Sequence, residues 1–345
     1  MSPNSFVRSN SPSELPNSIQ DELLSYTQTK KEFLERLRKS GKEKRRLYED
    51  FFPYLGAEGI LNGIKELWPH CHSEAHDLGK VIYSHVQDIT KGIEICDERC
   101  HSGCMHGVLM EAITTKGWTE SSGFDVAILR PLVSPLCSTN SLLTKAYSPG
   151  DCAHGVGHAL TVVANYHIQS ALRGCELFGN EKAEYYCATG VYMEYVNVSD
   201  ESDSRSKSLL YPCDAFAFPA ACARYKMVHV IRRHYQSRRQ LENLKEQCRQ
   251  FPSRVRLGCF HGLGNAHVPY LAKGLISLNQ VCSGLTKNEE IVCIDGAIER
   301  LAKYDGPRAL EVCQEFHEEE TTHCLSAVRH KMYNMEKDLG LYLDP

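Results

Sequence analysis

CRQFPSRVRLGC at residues 248–259, CSGLTKNEEIVC at 282–293 and CQEFHEEETTHC at 313–324 each open and close on cysteine. The same pairing continues upstream as Cys137/Cys152, Cys175/Cys187 and Cys213/Cys222. Second members of the pairs follow one another at intervals of 31 to 37 residues. Self-similarity at that period marks stacked helical units rather than one globular core. A first helix is expected around the leading cysteine, at Ile168 to Phe178, Leu241 to Gln250 and Arg308 to Phe316. A short polar loop follows, such as Phe178-Gly179-Asn180 or Ser283-Gly284-Leu285. A second helix then reaches its own cysteine about a turn later, as in Asn288 to Tyr304 around Cys293. The fold class is therefore all-α: a solenoid or toroid of antiparallel helical hairpins, each stapled by an intra-repeat disulfide. Each short closed loop contributes roughly 2–3 kcal/mol by restricting the unfolded chain.

Upstream, Cys96 and Cys104 serve as the pair of the first full repeat, which leaves Cys71 and Cys100 as partners by elimination. The competing reading is a zinc site made from Cys96, Cys100, His101 and Cys104. The run from Cys100 to His106 lacks the C-x-x-C-H order of covalent haem attachment.

Sixteen cysteines, an even and regularly spaced set, point to an oxidising compartment and hence to an extracytoplasmic or secreted protein. Residues 1–20 carry neither the basic nor the apolar region of a signal peptide; rich in Ser, Asn and Pro, they read as a disordered head. With 39 basic against 43 acidic residues there is no polyelectrolyte pull toward nucleic acid. No run of apolar residues reaches the length of a membrane span. Residues 21–68 read as charged, amphipathic helices. The first is Asp21 to Asp50, with Phe33, Leu34 and Leu37 on one stripe and a break at Ser40-Gly41; the second is Leu55 to Trp68. The repeat domain spans 69–345. A polar insertion at 196–210, with Asp200, Glu201 and Asp203, reads as a surface loop and includes the acceptor sequon Asn197-Val198-Ser199.

A second regularity appears when the repeats are aligned on the second cysteine. Two residues on stand His106, His154, Thr189, Arg224, His261, Asp295 and Ser326; six residues on stand Met110, His158, Met193, Val228, Asn265, Glu299 and His330. At about 100° per residue both offsets point away from the cysteine, and so away from the first helix of the hairpin. Glycine follows the first position at Gly107, Gly155, Gly190, Gly262 and Gly296, where it lets two helix backbones approach closely. The second helices are thus expected to line a concave surface and present polar side chains to it.

His154 and His158 stand i, i+4 on one helical face, as do His72 and His76 ahead of the repeats; that spacing lets two imidazoles share a metal ion. The expected ligand set is His72, His76, His106, His154, His158 and His261, with Asp295 and Glu299 as a carboxylate pair. Imidazole and carboxylate together suit copper, iron or zinc. Buried histidines that merely pack, or a face that responds to pH, account for the same residues without a metal. Glu111 and Glu194, one place beyond offset six, read as partners that orient a liganding histidine or as salt bridges between repeats. Arg224 heads the basic strip Arg224, Lys226, Arg232, Arg233, Arg238 and Arg239; it is the candidate contact for a substrate carboxylate or phosphate, against the reading of a solvated helix end. His85, His167, His229, His234, His317 and His323 fall off the shared face.

Phosphate-binding loops, dinucleotide fingerprints, nucleophile elbows and H-E-x-x-H are absent, and strand-like alternation is scarce. The expected function is metal binding, extending to a metal-dependent and possible oxidative enzyme that takes a small-molecule or peptide ligand on its concave face. The alternative is a non-catalytic repeat scaffold that grips a protein or peptide there.

Overall fold

The computed structural model describes residues 17–41, 43–68, 70–117, 126–138, 149–203, 209–234, 238–316 and 318–329. Among them there are helices and turns and no strand. Two N-terminal helices, α1 (Asn17–Lys39) and α2 (Lys44–Leu67), pack on each other and lead into α3 (His72–Val86). The short helix α4 (Ile89–Ile95) joins α3 to α5 (Gly103–Gly117), and α6 (Val126–Leu136) precedes α7 (Pro149–Val163). Short and long then alternate as α8 (Ile168–Cys175) and α9 (Glu181–Asp203). The long helix α10 (Pro219–His234) comes next, followed by α11 (Arg238–Arg249) and α12 (Ser253–Leu271). The last four are α13 (Leu278–Cys282), α14 (Lys287–Tyr304), α15 (Gly306–Cys313) and α16 (Glu318–Arg329).

Local signals start and stop these helices. Thr286 and Glu289 form a reciprocal capping box at the start of α14, and Ser277 and Gln280 do the same for α13. The Asp305 carboxylate accepts from the Arg308 backbone N–H and starts α15. The expected break at Ser40-Gly41 is present. The expected second break, before Leu55, is instead a bend inside α2 at Gly56, whose φ of 60° is glycine's to adopt. The polar insertion placed at 196–210 opens as helix: α9 runs on to Asp203, with Val196 buried on its inner face. Residues 204–208 of that insertion, and 1–16 of the head, lie outside the described residues.

All sixteen cysteines pair as expected, including Cys96–Cys104 and the Cys71–Cys100 bond reached by elimination. The remaining bonds are Cys137–Cys152, Cys175–Cys187, Cys213–Cys222, Cys248–Cys259, Cys282–Cys293 and Cys313–Cys324. The zinc site considered for Cys96, Cys100, His101 and Cys104 is overturned, because a disulfide sulfur offers no thiolate. In several pairs the first cysteine closes a short helix, as Cys175, Cys282 and Cys313 do, and the second lies inside the following long one. Cys213 departs from this, since turns rather than a helix occupy residues 209–217, where Pro212 has no N–H to give a helix.

Each long helix packs on the next in chain order, from α3 through α5, α7, α9, α10, α12 and α14 to α16. Glycines set how closely they meet. A Cβ added at Gly190 would lie 1.9 Å from the His154 carbonyl oxygen, and one at Gly157 would lie 2.0 Å from that of Cys187. Gly264 and Gly296 repeat the reciprocal crossing between α12 and α14. Residues at the two polar offsets are buried, among them His106, His154, His158, Thr189, Arg224, His261, Asp295 and Glu299. Among the described residues no helix is long and apolar enough to cross a membrane.

Candidate metal centre

Three consecutive long helices supply the site: His72 and His76 from α3, His106 from α5, and His154 and His158 from α7. One ligand nitrogen from each of His72, His76, His106 and His158 lies within 4.8 Å of the others, and all four residues are buried. His154 adjoins this group, its Nε2 lying 3.1 Å from Nε2 of His158. The Nε2 atoms of His72 and His76 are also 3.1 Å apart. With metal–nitrogen bonds of 2.0–2.1 Å, neighbouring ligands of a tetrahedral ion sit about 3.3 Å from one another.

Hydrogen bonds to the far side of four of the five rings, all but His76, fix which nitrogen faces inward. Nδ1–H of His72 donates to the carbonyl oxygens of Cys100 and His101, at 3.2 and 3.1 Å. Nδ1–H of His158 donates to the Glu194 carboxylate at 2.9 Å. The Thr189 hydroxyl donates to the Tyr186 carbonyl, so it accepts from Nδ1–H of His154 at 2.7 Å. His106 is turned the other way: Nε2–H donates to the Asp151 carbonyl at 3.1 Å, and buried Nδ1 has no hydrogen-bond partner. Carbonyl, carboxylate and committed hydroxyl oxygens can only accept, so in the neutral form of these rings the inward nitrogen is the one available to a metal ion. The Nε2 atoms of His154 and His158 face each other across 3.1 Å. A cation placed between nitrogens so arranged could be bound by more than one of them.

The loop that holds His72 is itself unusual. Cys100, His101 and Ser102 have φ of 54°, 55° and 58°, a left-handed run that costs non-glycine residues roughly 1–2 kcal/mol each. The Cys71–Cys100 and Cys96–Cys104 bonds pin this run on both sides, and its carbonyls are the ones that orient His72.

Burial, followed by repulsion from neighbouring imidazoles, lowers the pKa of His72 to about 3. The same two causes hold His76, His106 and His154 well below the ordinary histidine range. Neutral rings are the form that binds a metal ion.

His261, Asp295 and Glu299 stand outside this group. The Glu299 carboxylate meets Arg224 at 2.8 Å and His261 Nε2 at 3.3 Å. Burial pushes Glu299 up, but Arg224 and His261 outweigh it and hold the carboxyl at about 2. Asp295 binds His323 Nε2 at 2.6 Å, one of the histidines given no role by the spacing. Of the two candidate orienting carboxylates, Glu194 takes that position on His158, while Glu111 forms a two-point ion pair with Arg45.

The two groups share a cavity of about 160 Å³, lined by His72, His106 and His154 on one side and by Arg224, Glu299 and Lys303 on another. Arg224 is 8% exposed, so the reading of a solvated helix end fails for it. The end of α14 reaches across to the histidines: Tyr304 stacks on His101 with ring centroids 3.8 Å apart and meets His70 edge-on at 4.5 Å. Lys303 Nζ lies 3.5 Å from the carboxylate of Asp151, whose carbonyl holds His106. Sequence spacing missed Arg300, Lys303 and Tyr304, because they follow the two polar offsets of their repeat by less than a helical turn and a half and resemble an ordinary charged helix end.

The chain matches no protein-family model, no curated protein and no solved structure. Its function is therefore argued from the chemistry of the site.

Proposed function

We propose that this protein is an extracytoplasmic or secreted transition-metal protein. It binds one ion through His72, His76, His106 and His158, with His154 as an adjacent fifth nitrogen. The observation that carries the reading is the convergence of four buried imidazole nitrogens within 4.8 Å, three of the rings held from behind by oxygen acceptors. An all-histidine set suits copper, zinc or iron. Bound there, copper or iron supplies redox chemistry and zinc a Lewis acid; oxidative use of a small molecule remains the favoured enzymatic reading.

The architecture proposed with it is a toroid of disulfide-stapled hairpins over residues 69–345. Contacts of Tyr304 with His70 and His101, and of Lys303 with Asp151, support closure, since they join α14 to the start of the array. A cavity of about 160 Å³ supports a small molecule over a peptide as the ligand, and Arg224 lines it. Binding of a peptide on an open concave face would need these residues exposed, and they are buried.

Elemental analysis tests the reading on protein made without a polyhistidine tag and secreted into an oxidising medium. One equivalent of a transition metal is expected, and it should be lost in His106→Ala and His158→Ala while helicity is retained. A metal-free preparation that takes up no copper, zinc or iron on dialysis would overturn it.

A further inference from the structure

We infer that the cavity beside the histidines binds a small monocarboxylate of about benzoate size, its carboxylate held by Lys303 and Arg300 and its body lying against tyrosines. This deepens the metal reading and rests on it for the chemistry done on the ligand.

Charge selects the ligand. The charged groups that line the cavity are Asp151, Arg224, Glu299, Arg300 and Lys303. Arg224 and Glu299 neutralise each other at 2.8 Å, both nearly fully buried. Lys303 lies 3.5 Å from Asp151, a longer and partly exposed pairing. Arg300 spends its Nη1 on neutral acceptors, the Asn265 carbonyl at 3.1 Å and side-chain oxygen at 3.0 Å. No carboxylate pairs with Arg300 among the described residues, so the cavity carries one surplus positive charge. An anion meets this surplus charge with charge-assisted hydrogen bonds that a neutral ligand cannot offer Arg300 and Lys303.

Shape selects the rest. Arg300, Lys303 and Tyr304 stand at i, i+3 and i+4 of α14 and so share one helical face, which lines the cavity. Buried Arg224 adds an unpartnered Nε–H to the same lining. Tyr186, Tyr225, Met193 and Val228 supply the apolar and aromatic wall. A cavity of 150 Å³ in another protein takes a benzene-sized molecule, and this one is about 160 Å³. Lys303 sits next to the histidines through Asp151, so a carboxylate there lies beside the histidine-lined half of the cavity.

The experiment uses the full chain. Cobalt(II) uptake is measured first by equilibrium dialysis, and calorimetry then compares benzoate, benzamide and inorganic phosphate on the cobalt-loaded protein. Uptake of one equivalent is expected, followed by benzoate binding at least about tenfold tighter than its neutral isostere benzamide. Lys303→Met and Arg300→Met, each checked for unchanged cobalt content and circular dichroism, should each weaken benzoate about tenfold and leave benzamide unmoved. Failure to take up cobalt would sink the metal reading alone, and benzoate can still be titrated on the metal-free chain. Cobalt uptake with equal binding of benzoate and benzamide, or with phosphate preferred, would sink the carboxylate assignment alone. The wild-type comparison decides the matter even if a variant fails to fold.

Discussion

Replacing Gly190 by alanine tests whether the proposed metal centre depends on how closely α7 and α9 approach. A Cβ at this position would lie 1.9 Å from the His154 carbonyl oxygen and 2.9 Å from its carbon. Carbon–oxygen contacts between packed backbones settle near 3.3 Å, so the helices must part by about 1.4 Å. Both orienting contacts run across this same interface: Thr189 to His154 at 2.7 Å and Glu194 to His158 at 2.9 Å. That displacement carries each beyond hydrogen-bond range. Overpacking of this kind costs about 1–3 kcal/mol. Loss of the groups that orient metal-bound histidines typically lowers affinity about 10–100-fold. Thermal melting of the metal-free chain reads the first effect, and competition for zinc with a chromophoric chelator reads the second. Gly306→Ala is the control, since a Cβ there meets nothing within 4 Å. Unchanged melting and unchanged affinity in Gly190→Ala would refute the reasoning. Lower stability with full affinity would show that packing and site are not coupled.

Glu194→Gln keeps the shape of the residue that holds His158 but removes its charge, and should weaken metal binding about tenfold or more with circular dichroism unchanged; equal affinity would remove Glu194 from the site. The metal-free chain should lose stability in acid. His72, His76, His106 and His154 have folded pKa values below the ordinary 6.5, so at these groups the unfolded chain takes up protons first. Stability is then full above pH 6.5 and falls as pH drops toward the His72 value of about 3. Between pH 7 and 5, His72 alone accounts for about 2 kcal/mol, and a denaturant midpoint that is flat over that interval would contradict it. Reduction should unfold the repeats, because eight short closures at roughly 2–3 kcal/mol each exceed the typical net stability of a domain. Retained far-ultraviolet dichroism under a strong reductant would argue that the core needs no staples.

Cysteine pairing was legible because covalent partners lie close in the chain: Cys282 and Cys293 are 11 residues apart. Even Cys71–Cys100, separated by 29 residues, followed once the other pairs were assigned. The inward face was legible for a similar reason. Helical rotation places offsets two and six opposite the stapling cysteine, and His106, His154, His158 and Glu299 are buried accordingly. The i, i+4 histidine pairs were visible for the same cause, and both bring their Nε2 atoms to 3.1 Å. The left-handed run at Cys100–Ser102 was not legible, since no glycine announces it.

The sequence by itself determined an all-helical chain, its sulfur partners and the set of side chains that turn inward, because each follows from periodicity or from neighbours in the chain. Only the tertiary structure decided which imidazoles meet. His106 joins the α3 and α7 pairs, while His261, at the equivalent position of its own repeat, faces Glu299 and Arg224 instead. Likewise only the packed structure brings Lys303 and Tyr304 against residues some 150 to 200 positions earlier, His101 and Asp151 among them. The physical reason is that convergence depends on the distance and rotation between successive helices. Those are set by backbone contacts at crossing glycines, and repeat spacing does not encode them.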